Sequence, residues 1–524
     1  MVHWRAAVFA ALLVSAALAG RAMAQDVTLT SRDGSIRLDG DLLGFDGEFY
    51  RVETIYGEMT VDASGVTCEG AGCPDLEAFV AVLRASGSAA MGDVLLPALI
   101  EGFAAREGLD ARRETLSATE VVYHLFTRDT SDSPGREVGR FSIHATDTEE
   151  GFADLLADEA DLVMATREIR PTEAERARAA GLGDMTGENR SRVLALDGLV
   201  PVVGLANPLR EISLARLARV LAGEIENWQA LGGPDAPITL HMRAPATGIS
   251  QALQDRLMDP ARLTLSRGGV QHPAGNDIAG AVADDLLGFG MASFSRMDTA
   301  MPLTLTGRCG FTLSASRRTI KTEDWPLTVP MFLYLPARRL PRLARDFLAY
   351  TRSPAAQIVI RRAGFVDQAP EEIAVEDQGD RLANAVMVAG EEWSLEELQT
   401  MIAALRPMKR LTLTFRFETA STRLDAQSRS NVQQLARALE AGQYDTRQLV
   451  FAGFSDGRGG AGVNRTIARR RAVAVMEAVR AAAETADFDR VEMSAVAYGE
   501  AMPMACDDTS WGRGVNRRVE VWLR

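Results

Sequence analysis

Two hydrophobic periods divide this chain. Between residues 26 and 75, apolar and polar positions alternate, as in "SIRLDGDLLGFDGEFYRVETIYGEMTVDASGV", with Asp-Gly pairs between the runs. Period two broken by turn residues predicts a small β unit over 25–79. From 80 to 366 strand and helix patterns alternate. "VVYHLFT", "DLVMAT" and "GLVPVVGLA" are apolar runs suited to buried strands, whereas "LLPALIEGFAAREG" and "ISLARLARVLAG" have helical spacing and end in glycine. Such alternation predicts parallel sheets. Pro97 suits a first helical turn, so its helix is expected to start between 93 and 96. Residues 367–400 are acidic and less regular and read as a connector. A strand-helix-strand-helix-strand-strand order follows over 401–524, from "RLTLTFRF" to "RRVEVWL".

The 524 residues are too many for one core, which agrees with several domains. The start departs from the rest. "MVHWRAAVFAALLVSAALAGRAMAQ" has a positive end, an apolar run and a small-x-small site before Gln25, so residues 1–24 are expected to be a cleaved secretory signal. No cysteine stands at the cleavage point for lipid attachment, and no later run is long and apolar enough to span a bilayer. The expected location is the periplasm, at the cell wall and outer membrane. The formal net charge of −14 becomes two units more negative once Arg5 and Arg21 are removed, which argues against nucleic acid as a partner. Cys68 and Cys73, in "TCEGAGCP", suit a short disulfide loop in an oxidising compartment. Cys309 and Cys506 either pair across domains or stay free.

The chemistry of the last domain centres on "FAGFSDGRGGAGVNRTIARRRAVAVMEAV". A strand runs into a glycine-rich loop bearing Asp456, and a helix follows that carries Arg471. A carboxylate and a guanidinium together match the two ends of a zwitterionic amino acid through charge-assisted hydrogen bonds. With "GFSDGRG", Asn464, "RRA" at 470–472, "AYGE" and "NRRVEV", this stretch resembles the peptidoglycan-binding domain of the OmpA/MotB family over about 120 residues. The resemblance implies a βαβαββ fold in which Asp456 and Arg471 hold the diaminopimelate side chain of the peptide stem. Asn464 is expected to orient the loop or touch the stem. Arg517 and Arg518 are expected to support the fold or line the edge of the site. Two departures from the family pattern are Ser455, where Thr is usual, and Ala468, where a serine at the helix start is usual.

In the central part, "ASGSAAMGDVLLPALIEGFAAREG", "DLVMATREI", "LALDGLVPVVGLANP", "LAGEIENWQALGG", "MRAPATGIS" and "DDLLGFGMASFS" follow in an order that resembles the PstS-like phosphate-binding proteins over about 280 residues. That resemblance implies a bilobal type 2 periplasmic-binding-protein fold. Its first lobe is expected over 80–200 and 296–366 and its second over 201–295, with hinge crossings near 200 and 300. The implied anion contacts are Ser88 in the first loop, Thr166 and Arg167 in the second, and Arg243, Thr247 and Gly248 in the third. Ala90 lacks the hydroxyl usual in the first loop, and "RAPATG" lacks a serine. Each missing hydroxyl removes a hydrogen bond worth about 1 kcal/mol, so weaker phosphate binding is expected.

The five histidines show no metal-ligand spacing, and no nucleophile elbow, Walker loop or carboxylate pair for glycoside cleavage is present. Neither an enzyme nor a cofactor is expected. The leading expectation is a peptidoglycan-tethered, multidomain α/β and α+β binding protein for phosphate or a related oxyanion, serving ABC-type uptake or sensing with a permease as a possible partner. The alternative is a structural or sensing envelope protein whose lobes bind a partner protein and no solute.

Overall fold

A computed structural model describes residues 26–76, 78–129, 135–187, 189–244, 247–272, 277–297, 299–387, 394–417 and 423–524. The expected signal segment lies outside them. The N-terminal unit is a five-stranded antiparallel sheet. Alternate residues of its strands turn inward, so Val27, Leu29, Tyr50 and Val52 form a small core. Cys68 and Cys73 are joined in a disulfide. Asp46 and Glu48 of this unit meet Arg339 and Arg345, which tie it to the central part.

The central sheet has eleven strands and is mixed rather than parallel. Ala81–Ser88 lies parallel to Leu162–Ala165 and Glu137–Thr146, but Thr328–Tyr334 runs antiparallel to both its neighbours. The reason is the hinge: a strand that returns from another lobe needs no helical crossover. Ser191–Val203 is the hinge strand. Residues 191–198 pair with Thr328–Tyr334 in the first lobe, and 199–203 pair with Gly288–Ser293 in the second. The second crossing was expected near 300 and comes later. Met301–Pro302 and Thr304–Thr306 pair with strands of the second lobe, and Leu303 and Leu305 are buried in its core, so the chain regains the first lobe only at Thr328. The helix bearing Pro97 spans Leu95–Glu107, which puts the proline in the first turn.

The last sheet has the order Glu372–Ile373, Lys409–Arg416, Arg518–Leu523, Gln448–Phe454, Glu492–Gly499. Helices Ala426–Glu440 and Ala461–Ala482 cover one face through Val432, Leu435, Leu439, Val475 and Val479. The expected connector covers the other. Glu372–Ile373 is an edge strand of this sheet, and helices Gly379–Met387 and Leu395–Leu405 lay Ala385, Leu398, Met401 and Leu405 against Val450, Ala452, Phe454 and Trp522. The acidic composition masked an apolar stripe at helical spacing, and the sheet's second face would stand in water without it. The described part of 367–400 therefore belongs to the last domain.

That domain docks on the bilobal part through buried charge. Asp324 pairs with Arg410, and Glu520 gathers Arg410, Arg381 and Arg518 around it. Burial alone would raise the Glu520 pKa, but the three guanidinia outweigh it and hold the carboxyl well below its usual range. Lys321 bridges Asp367 and Glu371 across the same junction, at 3.0 and 2.5 Å. The disulfide Cys309–Cys506 closes it covalently, which resolves the pairing left open by spacing.

Candidate ligand sites in the cleft and on the last domain

The first lobe reaches the cleft through strand ends. At Gly87, φ is +130° and a Cβ would sit 2.1 Å from the Met164 carbonyl oxygen, so only glycine allows the two strands to approach here. This contact seats Ser88, which is buried, beside the end of Leu162–Ala165, where Thr166 follows. The Thr166 amide donates to Thr148 Oγ1 at 3.2 Å. The second lobe answers with Gly248 at the head of helix Gly248–Leu253. A Cβ at Gly248 would lie 2.5 Å from Thr166 Oγ1, 3.3 Å from Thr148 Oγ1 and 3.4 Å from Ser88 Oγ. The lobes are therefore closed on one another, with a second-lobe glycine among three first-lobe hydroxyls.

Beside this contact lies a cavity of about 40 Å³, bordered by Ser88, Asp93, Asp197, Arg243, Gly248 and Arg296. That is room for a few waters or one small oxyanion. Arg243 is half-buried; burial and then the charge of Arg296 lower its pKa, while Asp277 and Asp93 oppose the shift. Asp197 is fully enclosed in the hinge strand and accepts from the Ser295 amide at 3.1 Å, Ser295 Oγ at 2.8 Å and the Gly198 amide at 2.8 Å. Burial nonetheless raises its pKa.

Two expected contacts do other work. Arg167, only 5% exposed, grips Glu173 through both terminal nitrogens at 2.9 and 2.7 Å and donates to Gln251 Oε1 at 3.0 Å. It is an inter-lobe strut and does not border the cavity. A carboxylate one helical turn into the next helix captured it, a pairing invisible without that turn's geometry. Thr247 does border the cavity, but its hydroxyl also caps helix Gly248–Leu253 by accepting from the Ser250 amide and itself donates to the Ala244 carbonyl. Sequence reasoning missed Asp93, Asp197, Arg296 and Thr148. Asp197 carried a usable signal: a lone carboxylate inside the apolar run "LALDGLVPVV" is costly to bury without partners.

On the last domain, strand Gln448–Phe454 and helix Ala461–Ala482 meet at backbone distance. A Cβ on Gly453 would lie 2.1 Å from the Ala468 carbonyl oxygen, and Ala472 is also in contact. Ala468 is thus a buried close-packing residue inside the helix, not a start-of-helix cap; the N-cap is Gly460. This packing brings Arg471 to the loop carrying Asp456. Asp456 accepts from Arg517 Nη1 at 2.6 Å and from the Arg458 amide at 3.3 Å. Arg471 is half-buried, its guanidinium 5.2 Å from the Phe417 ring centroid, and its Nε has no hydrogen-bond acceptor among the described residues. Burial and then Arg517 lower the Arg471 pKa, with Asp456 opposing, so the three charges share one site. Asn464 is buried and donates to Glu500 Oε2 at 3.3 Å and the Gly459 carbonyl at 3.4 Å, bracing the loop from below. Arg518 lies in the core with Glu520, whereas Arg517 belongs to the site.

Comparison with known proteins accounts for both parts. Residues 114–355 match the PBP superfamily domain and 416–517 match the OmpA family. The chain joins a PBP superfamily domain to an OmpA family domain. The PBP domain is similar to the phosphate-binding protein PstS of Bacillus subtilis (strain 168), 26% identical over 205 residues, covering 37% of this chain and 65% of that protein. It is also similar to the PstS protein of Staphylococcus haemolyticus, 23% identical over 240 residues, covering 44% and 72%. The OmpA domain is similar to outer membrane porin F of Pseudomonas aeruginosa, 28% identical over 118 residues, covering 22% of this chain and 32% of the porin. The chain thus spans just under two thirds of the Bacillus relative and about a third of the porin. Among solved structures, an ABC-type phosphate transport receptor from Vibrio cholerae is 17% identical with a TM-score of 0.41, covering 54% of this chain and 99% of that one. Among the described residues, no helix of either domain is long and apolar enough to cross a membrane.

Proposed function

We propose that this chain is a periplasmic receptor for a small oxyanion, phosphate first among them, held at the cell wall by its OmpA domain. The observation that carries the reading is the closed cleft. Gly248 sits among the hydroxyls of Ser88, Thr148 and Thr166, and Arg243 and Arg296 border the adjoining small cavity. Guanidinia supply charge and paired donors to an oxyanion, and hydroxyls complete its hydrogen bonds. Asp93 at the same cavity accepts a hydrogen bond only from an oxyanion that retains a proton, which favours phosphate over sulfate. The relatives' own name, phosphate-binding protein, supports this reading. Closed lobes would present the surface on which an ABC-type permease or a sensor docks.

For the wall, Asp456 takes the ammonium and Arg471 the carboxylate of the diaminopimelate tip, with Asn464 holding the loop in place. Binding of this kind needs no covalent attachment.

Calorimetry of the mature chain with phosphate tests the receptor reading: saturable heat at micromolar phosphate and none with sulfate is expected. Silence with phosphate, arsenate and sulfate alike would overturn it. One observation favours a second reading, in which the lobes bind a protein instead. Arg167, implied as an anion contact, is committed to Glu173 and Gln251. Silence in the titration would turn the assignment to that reading.

A further inference from the structure

A second cavity, of about 620 Å³, lies where the PBP and OmpA domains meet. It falls within the size range of sites for organic ligands of drug or nucleotide size. Arg192 enters it from the start of the hinge strand, Arg352 from the segment after helix Arg342–Tyr350, and Arg437 from helix Ala426–Glu440 of the OmpA domain. The chain has 71 acidic residues against 57 lysines and arginines, yet among the described residues none of these three arginines forms an ion pair with a carboxylate. Arg192 Nη1 donates to the Leu348 carbonyl at 2.9 Å, while its Nε is buried without an acceptor. The three charges work against each other. Burial, then Arg352 and Arg437, push Arg192 down to about 9, and burial, then Arg352, push Arg437 down to about 10 against the opposing charge of Glu440. Gln433 and Gln434 add amide groups to the same walls, the Gln357 amide donates to the Thr351 carbonyl at 3.2 Å, and Glu484 is the carboxylate on the border, unpaired with any of the three arginines.

Like charges converging in a partly desolvated space cost free energy unless an anion joins them. We infer that this interdomain cavity is a binding site for a compact organic or inorganic polyanion, one carrying two or more phosphate or carboxylate groups. The guanidinium fork fits both groups bidentately. A single phosphate would fill a small part of the space and reach few of the arginines. Since Arg192 and Arg352 belong to one domain and Arg437 to the other, such a ligand bridges the domains and stabilises their docking. This site is separate from the cleft and stands whether or not the cleft binds phosphate.

The test uses the mature full chain at low salt, with tripolyphosphate and citrate as probes in calorimetry and thermal unfolding. Saturable binding of either probe with a rise in Tm is expected; the one that binds more tightly identifies phosphate or carboxylate as the preferred group. Arg352→Gln and Arg437→Gln should each weaken binding by about tenfold or more, while the cleft variant Arg243→Gln leaves it unchanged. Arg352 is exposed, so its replacement leaves the fold intact. Without ligand, Arg352→Gln should unfold no lower than the parent, because a repulsion has been removed. No saturable heat with either probe, binding that survives both arginine changes, or binding lost in Arg243→Gln would each overturn the proposal.

Discussion

Arg410, on the first long strand of the OmpA domain, donates to both carboxylate oxygens of Asp324 in the PBP domain, at 2.7 and 3.0 Å. The two side chains are 1% and 5% exposed. The pair therefore joins two domains from inside, where each charge depends on the other.

Asp324→Ala should cost about 3–5 kcal/mol, because it leaves the Arg410 guanidinium buried beside Arg381 and Arg518 with only Glu520 to balance all three. Chemical denaturation of the mature chain measures it. A double change of Asp324→Leu with Arg410→Met should cost less than Asp324→Ala alone, since no charge is then stranded. Equal or larger loss in the double variant would show that the pair matters for its shape rather than its charge.

Gly248→Ala should hold the cleft open. The added Cβ would come within 2.5 Å of Thr166 Oγ1, inside contact distance, so the lobes cannot meet as they do now. A larger radius of gyration in X-ray scattering is expected, together with phosphate affinity lower by about tenfold or more. Thermal stability should change little, because each lobe keeps its own core. An unchanged radius with full affinity would refute the closed geometry as the binding state.

Asp456→Ala and Arg471→Ala should each weaken retention on purified sacculi by about ten- to a hundredfold, the value of one charge-assisted hydrogen bond of about 1.5–3 kcal/mol. The double change should add little beyond the stronger single one, as the proposed roles have both groups grip one ligand. Retention equal to the parent in both single variants would remove the assigned roles.

Glu323 makes stability depend on pH. Burial, reinforced by the Asp425 carboxylate, pushes its pKa from 4.5 up to about 8. The folded chain then keeps a proton that the unfolded chain releases, so the stabilising contribution is complete below about pH 4.5 and is lost as pH rises towards about 8, with a slope of at most about 1.4 kcal/mol per pH unit. Glu323→Gln should remove that slope. Thermal unfolding of both proteins at about pH 5 and about pH 8 checks it; parallel behaviour would mean the carboxyl is ionised throughout.

Much of this protein was legible in its residue order, because the signals were local. Alternation marked the N-terminal strands, helical spacing and Gly223 marked the helix Leu214–Leu221, and the Gly-rich turn after Phe454 marked the loop of Asp456. Each depends on contacts within a turn or a strand pair, which spacing encodes directly. The tertiary structure alone decided which distant charges met. Glu173 captured Arg167, Arg517 took Asp456, Cys309 found Cys506, and residues 372–405 closed over the bare face of the last sheet. Long side chains of one charge sign have many possible partners along a chain, and only the docking of whole domains selects among them.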